Sequence, residues 1–173
     1  YFVCVSTAVY DKLIQIHPKY LEKSCVISNP VDTNIFSPKR WERTDCIEII
    51  YAGRIHPEKG LEILAKAYAL LKKKHPCVSL TFIGGWTIFD GGGGKNYRKK
   101  LKNIAPDIRY VKSIYNQKQL AGRLAKGDIF VYPSVAEWGE SFGLAPLEAM
   151  ACGLPTVVSD LKCFADYGEP ENN

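Results

Sequence analysis

Two acidic residues, Glu140 and Glu148, bracket the run Ser141-Phe142-Gly143-Leu144. An ionised carboxylate only accepts hydrogen bonds and offers two oxygens, which suits the paired hydroxyls of a ribose or a sugar ring. A second group stands in Gly53-Arg54-Ile-His-Pro-Glu-Lys59-Gly60. There a guanidinium could grip two phosphate oxygens at once, and an ammonium adds a compact positive charge. Each residue alone has a plainer reading. Glu148 could complement a helix dipole, Glu140 could cap the helix, and Arg54 and Lys59 could be solvated surface cations. Together, acceptors for hydroxyls and donors for phosphates point to a ligand carrying both, such as a nucleotide sugar. Gly84-Gly85 is a third candidate contact, although a simple turn explains it equally well.

These groups act in concert only if the fold brings three loops to one place. Ile129-Phe-Val-Tyr132 reads as a strand stopped by Pro133-Ser134, with a polar loop containing Gly139 and Gly143 after it. Pro146 suits a first helical turn, Gly153 suits a left-handed helix end, and Pro155 forbids continuation. Residues 155–159 then read as a buried strand. Ile47–Ala52 predicts a strand, and Leu61, Leu64, Tyr68 and Leu71 fall on one face of a helix. Val78–Ile83 predicts a strand, 96–104 a basic helix, 108–111 a strand and 117–125 a helix. Upstream, 2–6 and 25–28 predict strands around a helix over 7–16. Strands alternating with helices imply an α/β fold, a Rossmann-like parallel sheet with helices on both faces and right-handed crossovers. All three loops then follow carboxyl ends of strands, where open α/β sheets bind ligands and helix starts favour anions.

The order of these motifs resembles the large family of retaining GT-B glycosyltransferases, group 1 (family 4). The resemblance is carried by Glu140-Ser-Phe-Gly-Leu-Ala-Pro-Leu-Glu148-Ala-Met-Ala-Cys-Gly-Leu-Pro155, by the Gly53-Arg54…Lys59-Gly60 loop and by Asn29-Pro-Val-Asp-Thr-Asn-Ile-Phe-Ser-Pro38. It implies that residues 1–40 are the tail of an N-terminal domain and its connection. Residues 41–173 would be the donor-binding domain, the C-terminal half of a GT-B fold, truncated at its own C-terminus. The implied catalytic residues are Glu140, Arg54 and Lys59. Donor contacts are implied for Gly53, Arg54, Lys59, Gly84, Ser141, Phe142, Gly143, Leu144 and Glu148, with Glu140 orienting the sugar and Glu148 the ribose. The donor would be a UDP- or GDP-sugar, the acceptor a saccharide or a lipid-linked molecule, and no metal or other cofactor is expected. Two alternatives stay open: a nucleotide-sugar-binding fragment without turnover, and a phosphorylase of the same architecture.

Composition narrows the remainder. No apolar run is long enough to cross a membrane and no leader pattern opens the chain; peripheral membrane association of the full-length protein is a further expectation. The net charge of +5 is modest and lacks the aromatic-basic pattern of a nucleic-acid binder. Six cysteines (4, 25, 46, 77, 152, 163) without a Cys-x-x-Cys pair read as reduced core residues of a cytoplasmic protein. Each of the three histidines, His17, His56 and His75, precedes a proline and so marks a helix end or loop. The four-glycine run Gly91–Gly94 reads as a flexible surface loop, and Trp86 and Trp138 as core packing or a wall of the site.

Overall fold

A computed structural model describes residues 1–39, 45–136 and 139–167. The chain begins with a small βαβ unit. Strand β1 (Phe2–Cys4) pairs in parallel with β2 (Ser24–Val26), and α1 (Thr7–Ile16) and a 3-10 turn (Pro18–Lys23) lie between them. α1 starts where Ser6 accepts from the amide of Val9, and it ends at His17. Phe36, in the expected connection, is 1% exposed and belongs to the core of the main sheet.

That sheet has five parallel strands in the order β5-β4-β3-β6-β7: β3 (Ile47–Ala52), β4 (Val78–Ile83), β5 (Arg109–Val111), β6 (Ile129–Tyr132) and β7 (Thr156–Val158). The chain winds outward from β3 through α2 (Leu61–Lys74) and α3 (Gly94–Ile104) to β5. It then returns through α4 (Gln117–Leu124) to β6 and proceeds through α5 (Leu144–Ala151) to β7. Right-handed crossovers wound in opposite directions place the first helix pair on one face and the second on the other. In keeping with this, α2 packs on α3 and α4 on α5. The reversal lies between β3 and β6, the position at which doubly wound sheets open a ligand crevice.

The core explains the sequence pattern. Ile50, Tyr51, Leu80, Phe82 and Phe130 are fully buried in the central strands, covered by Leu61 and Tyr68 of α2, Leu101 of α3 and Leu124 of α4. At the amino ends of the strands Glu48 accepts from Ser79, from Thr81 (2.5 Å) and from Arg123 (3.0 Å), with Arg109 at 3.3 Å. Burial pushes this carboxyl up, but the hydrogen bonds and Arg109 outweigh it and hold it below 4.5.

Two expectations are corrected. Cys46 and Cys77 are not reduced; they form a disulfide with Cα atoms 4.6 Å apart. Each precedes a strand, and the parallel register pairing Ile47 with Val78 sets the two side by side, a proximity invisible in linear spacing. The cytoplasmic reading therefore loses the support it took from reduced thiols. Cys4, Cys152 and Cys163 are buried free thiols, and Cys25 is free and exposed. Nor is Gly91–Gly94 an open loop. The amides of Gly91, Gly92, Gly93 and Gly94 donate to Ile88, Thr87, Ile55 and Trp86, so the run is a closed turn leading into α3.

Closing a loop of this length by a disulfide contributes about 2–4 kcal/mol. Urea unfolding with and without reductant is expected to differ by that amount, and coincident midpoints would contradict it. A carboxyl held below its ordinary value stabilises the fold above pH 4.5, and this contribution is lost as pH falls through its native value. Glu48→Gln is expected to flatten that acid limb.

Candidate functional site

Three strand ends converge. β3 ends in Gly53-Arg54, β4 in Gly84-Gly85, and the β6 loop leads through Glu140 to α5. Gly53 and Gly84 lie back to back. The amide of Gly53 donates to Ile83 and that of Gly84 to Val111, and a Cβ on Gly84 (φ 152) would stand 1.9 Å from the carbonyl oxygen of Gly53. No side chain fits there, so the floor is bare backbone that a ligand can approach closely. A cleft of about 310 Å³ opens over it, lined by Gly53, Arg54, Gly84 and Glu148 together with Tyr115, which extends from the end of β5.

Glu148 is the most unusual group in this cleft. It lies in the second turn of α5 and is 8% exposed. Among the described residues its carboxylate has no ion pair and no hydrogen bond, and burial alone pushes it up to about 7. A desolvated carboxyl titrating near neutrality in a cleft marks a candidate functional group, because structural carboxylates are ordinarily paired. Gly153 (φ 80) ends α5 as expected.

Lys59 and Glu140 lie beside the cleft and meet each other. Lys59 Nζ is 2.6 Å from Glu140 Oε2, and the side chains are 6% and 8% exposed. Their floor is aromatic: Tyr51 of β3 and Tyr132 of β6 stack at 5.5 Å, and Lys59 Nζ sits 5.6 Å above the ring of Tyr132. Burial first, and then the charge of Glu140, hold the proton on Tyr132, whose hydroxyl makes a long 3.5 Å contact with Glu140 Oε1. Arg54 is half-exposed, pairs with Glu58 and donates to the carbonyl of Gly91 at 3.2 Å. Glu58 lies 3.9 Å from Lys59, so Arg54, Glu58, Lys59 and Glu140 form one alternating row of charge.

The loop before α5 is clamped from behind. The Tyr167 hydroxyl lies 3.0 Å from the carbonyl oxygens of both Phe142 and Gly143, and Ser6 donates to the carbonyl of Ser141 at 2.6 Å. Phe142 is buried against Tyr167, with ring centroids 5.1 Å apart. Ser141, Phe142, Gly143 and Leu144 do not line the cleft; Ala145 does. The structure therefore gathers Gly53, Arg54, Gly84 and Glu148 around one space, and pairs Lys59 with Glu140 at its side, while 141–144 are not among the residues lining it.

Sequence reading missed the Tyr51–Tyr132 stack and Tyr115. The rule that pointed to the loops after β3 and β4 applies equally to the loop after β5, so Tyr115 was within reach; the stack depended on strand order. His56 caps the turn Pro57–Lys59, and Trp86 stacks on Arg98 at 4.6 Å, the packing role expected by default. Trp138 lies outside the described residues. Among the described residues no group of three or more His, Cys, Asp or Glu is placed to hold a metal ion, and no helix is long and apolar enough to cross a membrane.

Comparison with known proteins follows the same lines. Residues 32–173 match the family described as "Glycosyl transferases group 1". A D-inositol 3-phosphate glycosyltransferase of Paenarthrobacter aurescens is 29% identical over 92% of this chain and 40% of its own length. The chain thus spans less than half of that curated relative. Among solved structures, Anabaena Alr3699/HepE in complex with UDP and glucose superposes with TM-score 0.77 at 20% identity, over 97% of this chain and 46% of its own. The C-terminal domain of a group 1 glycosyl transferase, LpcC of Francisella tularensis, superposes with TM-score 0.68 at 23% identity, over 83% of this chain and 77% of its own. These similarities show a GT-B architecture and its C-terminal domain.

Removing one partner of a buried ion pair leaves the other charge uncompensated, at a cost of about 3–5 kcal/mol. Lys59→Met and Glu140→Gln are each expected to destabilise the fold on this scale, and the double variant by clearly less than the sum. Additive losses in denaturant unfolding would show that the two side chains are not coupled.

Proposed function

The chain belongs to the glycosyl transferases group 1, and on that premise we propose that it supplies the donor side of a sugar transfer from a nucleoside diphosphate sugar. The observation that carries this reading is the buried, unpaired Glu148 carboxylate in the cleft beside Arg54 and the Gly53–Gly84 floor. The ribose of the donor lies against Glu148, whose two oxygens accept from its 2′ and 3′ hydroxyls. The diphosphate lies over the bare backbone of Gly53 and Gly84, with the guanidinium of Arg54 turned from Glu58 onto its oxygens. Glu140 holds Lys59 through one oxygen and keeps its other oxygen, engaged among the described residues only by the long Tyr132 contact, for a hydroxyl of the donor sugar.

The chemical step breaks the bond between the anomeric carbon and the leaving phosphate. The anomeric carbon gains oxocarbenium character, and an acceptor hydroxyl attacks from the face the diphosphate leaves, passing its proton to a departing phosphate oxygen, so configuration is retained. Negative charge growing on the departing phosphate is met by Arg54 and Lys59, cations fixed before the reaction, in the manner of other preorganised electrostatic sites. On this reading protein cations fulfil the role that a divalent metal performs elsewhere. The UDP and glucose bound by the Anabaena protein make a UDP-sugar the first donor to test, with a GDP-sugar next. The Paenarthrobacter relative makes a phosphorylated polyol a reasonable acceptor beside saccharides and lipid-linked molecules.

Calorimetry separates the roles. Glu148→Gln is expected to weaken binding of a ribonucleoside diphosphate while leaving its 2′,3′-dideoxy analogue unaffected; equal losses would make Glu148 structural. Arg54→Ala is expected to remove about 1.5–3 kcal/mol from diphosphate binding and little from nucleoside binding.

The raised carboxyl adds a pH signature. Protonated Glu148 accepts poorly, so affinity for an intact nucleoside diphosphate sugar, whose phosphates do not titrate near neutrality, should fall below pH 7. The limiting slope is about tenfold per pH unit for one proton. A profile between pH 5.5 and 8 should show this slope in the wild type and lose it in Glu148→Gln. An identical slope in both would contradict the assignment.

A further inference from the structure

We propose that the α2–α3 face, together with the tip of the turn at Ile88-Phe89, is a docking surface for a bilayer bearing anionic phospholipid. The first observation is charge. α2 and α3 hold nine Lys or Arg (Lys66, Lys72, Lys73, Lys74, Lys95, Arg98, Lys99, Lys100 and Lys102) against one acid, Glu62. The whole chain has 23 cations and 18 acids, so the other 148 residues hold 14 cations against 17 acids. The basic character of this protein is therefore confined to one helix pair, and the remainder is slightly acidic. Lys100 is paired with Glu62 at 2.7 Å, which joins the two helices, and Arg98 is stacked between Trp86 and Tyr110. Lys66, Lys73, Lys74, Lys95, Lys99 and Lys102 are exposed.

The second observation is apolar exposure on the same elements. Ile63 and Leu70, seven residues apart and thus on one face of α2, are 58% and 64% exposed, with Lys66 and Lys73 beside them. At the start of α3 the closed glycine turn presents Ile88 and Phe89 outward, 74% and 99% exposed. Thr87 Oγ1 is 2.6 Å from Asp90 Oδ2, and the amide of Asp90 donates back to Thr87, so this tip is held outward by hydrogen bonds. A phenylalanine held fully in water has no packing reason here. An aromatic and aliphatic tip next to a lysine-rich helix fits the boundary of an anionic membrane, where rings enter the acyl edge and lysines meet headgroup phosphates. A soluble acidic partner would reward the lysines but not the tip.

The placement has a consequence for the cleft. Asp90 and Gly85 line it, and the carbonyl of Gly91 accepts from Arg54. Docking through the tip would therefore bring this rim of the cleft near the membrane surface.

Vesicle flotation with this chain tests the proposal. Phosphatidylcholine vesicles containing about a third phosphatidylglycerol are expected to bind it, and pure phosphatidylcholine vesicles are not. Each lysine near an anionic surface raises partition about fivefold, so Lys95→Glu with Lys99→Glu should lower binding by about 25-fold or more. Lys23→Glu with Lys118→Glu, an equal charge change on other elements, should lower it little. Ile88→Ser with Phe89→Ser should abolish the part of the binding that survives about 0.5 M salt, where surface charge is screened. Circular dichroism of each variant verifies the fold. The proposal is overturned by equal binding to both vesicle types, by equal losses in the two charge-reversal variants, or by indifference to the tip. Equally tight, tip-independent binding to a soluble polyanion would assign the face to an acidic macromolecule instead.

Discussion

The buried ion pair between Lys59 and Glu140 spans the place where the winding of the sheet reverses. β3 and β6 are neighbours, but the chain leaves them in opposite directions, so the loops that follow must be joined by contacts outside the strand pairing. Lys59 comes from the first loop and Glu140 from the second, and both charges are taken out of water above a stacked pair of tyrosines contributed by the same two strands. Desolvating two ions is costly, and the pair persists because the geometry is short and the cation also faces the ring of Tyr132. The amide of Val135 donates to the carbonyl of Glu58 at 2.9 Å and reinforces the same closure. Together the ion pair and this bond hold the loop that carries Arg54 against the loop that leads into α5.

Glu148 stands in contrast. It is buried like the Glu140 side chain yet meets no cation among the described residues, and it carries the desolvation as a raised proton affinity. The two carboxylates of one motif thus occupy opposite electrostatic states: one committed to a lysine, the other uncommitted and waiting for hydrogen-bond donors. Hydroxyls of a ribose are such donors, and they can approach because Gly53 and Gly84 leave the floor without side chains. Behind the helix that carries Glu148, Tyr167 and Ser6 fix the carbonyls of 141–143. The segment between the two glutamates is thereby tied to Tyr167 and to Ser6.

Much of this was legible in the amino-acid order. β3, β4, β6 and α1 fall within the bounds their apolar periodicity marked, since a parallel strand buried on both faces leaves a continuous apolar run. Arg54, Glu148 and the two glycines could be placed at strand ends, because alternation of strand and helix sends every such loop to one edge. What could not be read was pairing. That Lys59 pairs with Glu140, and that Cys46 meets Cys77, follows from strand order and register, and neither leaves a trace in linear spacing. The glycine run misled for a related reason: glycine permits both an open loop and a tight turn, and the choice was made by the contacts of Trp86 and Ile55.

The protonation of Glu148 is the most direct measure of the account. Carbon-13 labelling of glutamate side chains, with Glu148→Gln for assignment, permits its carboxyl to be titrated by NMR with and without a ribonucleoside diphosphate. The expected result is a midpoint near 7 in the free protein, falling on addition of the nucleotide as hydroxyl donors stabilise the ionised form, with no fall on addition of the 2′,3′-dideoxy analogue. A midpoint in the ordinary carboxylate range, or one indifferent to the nucleotide, would contradict the assignment of this cleft to the donor ribose.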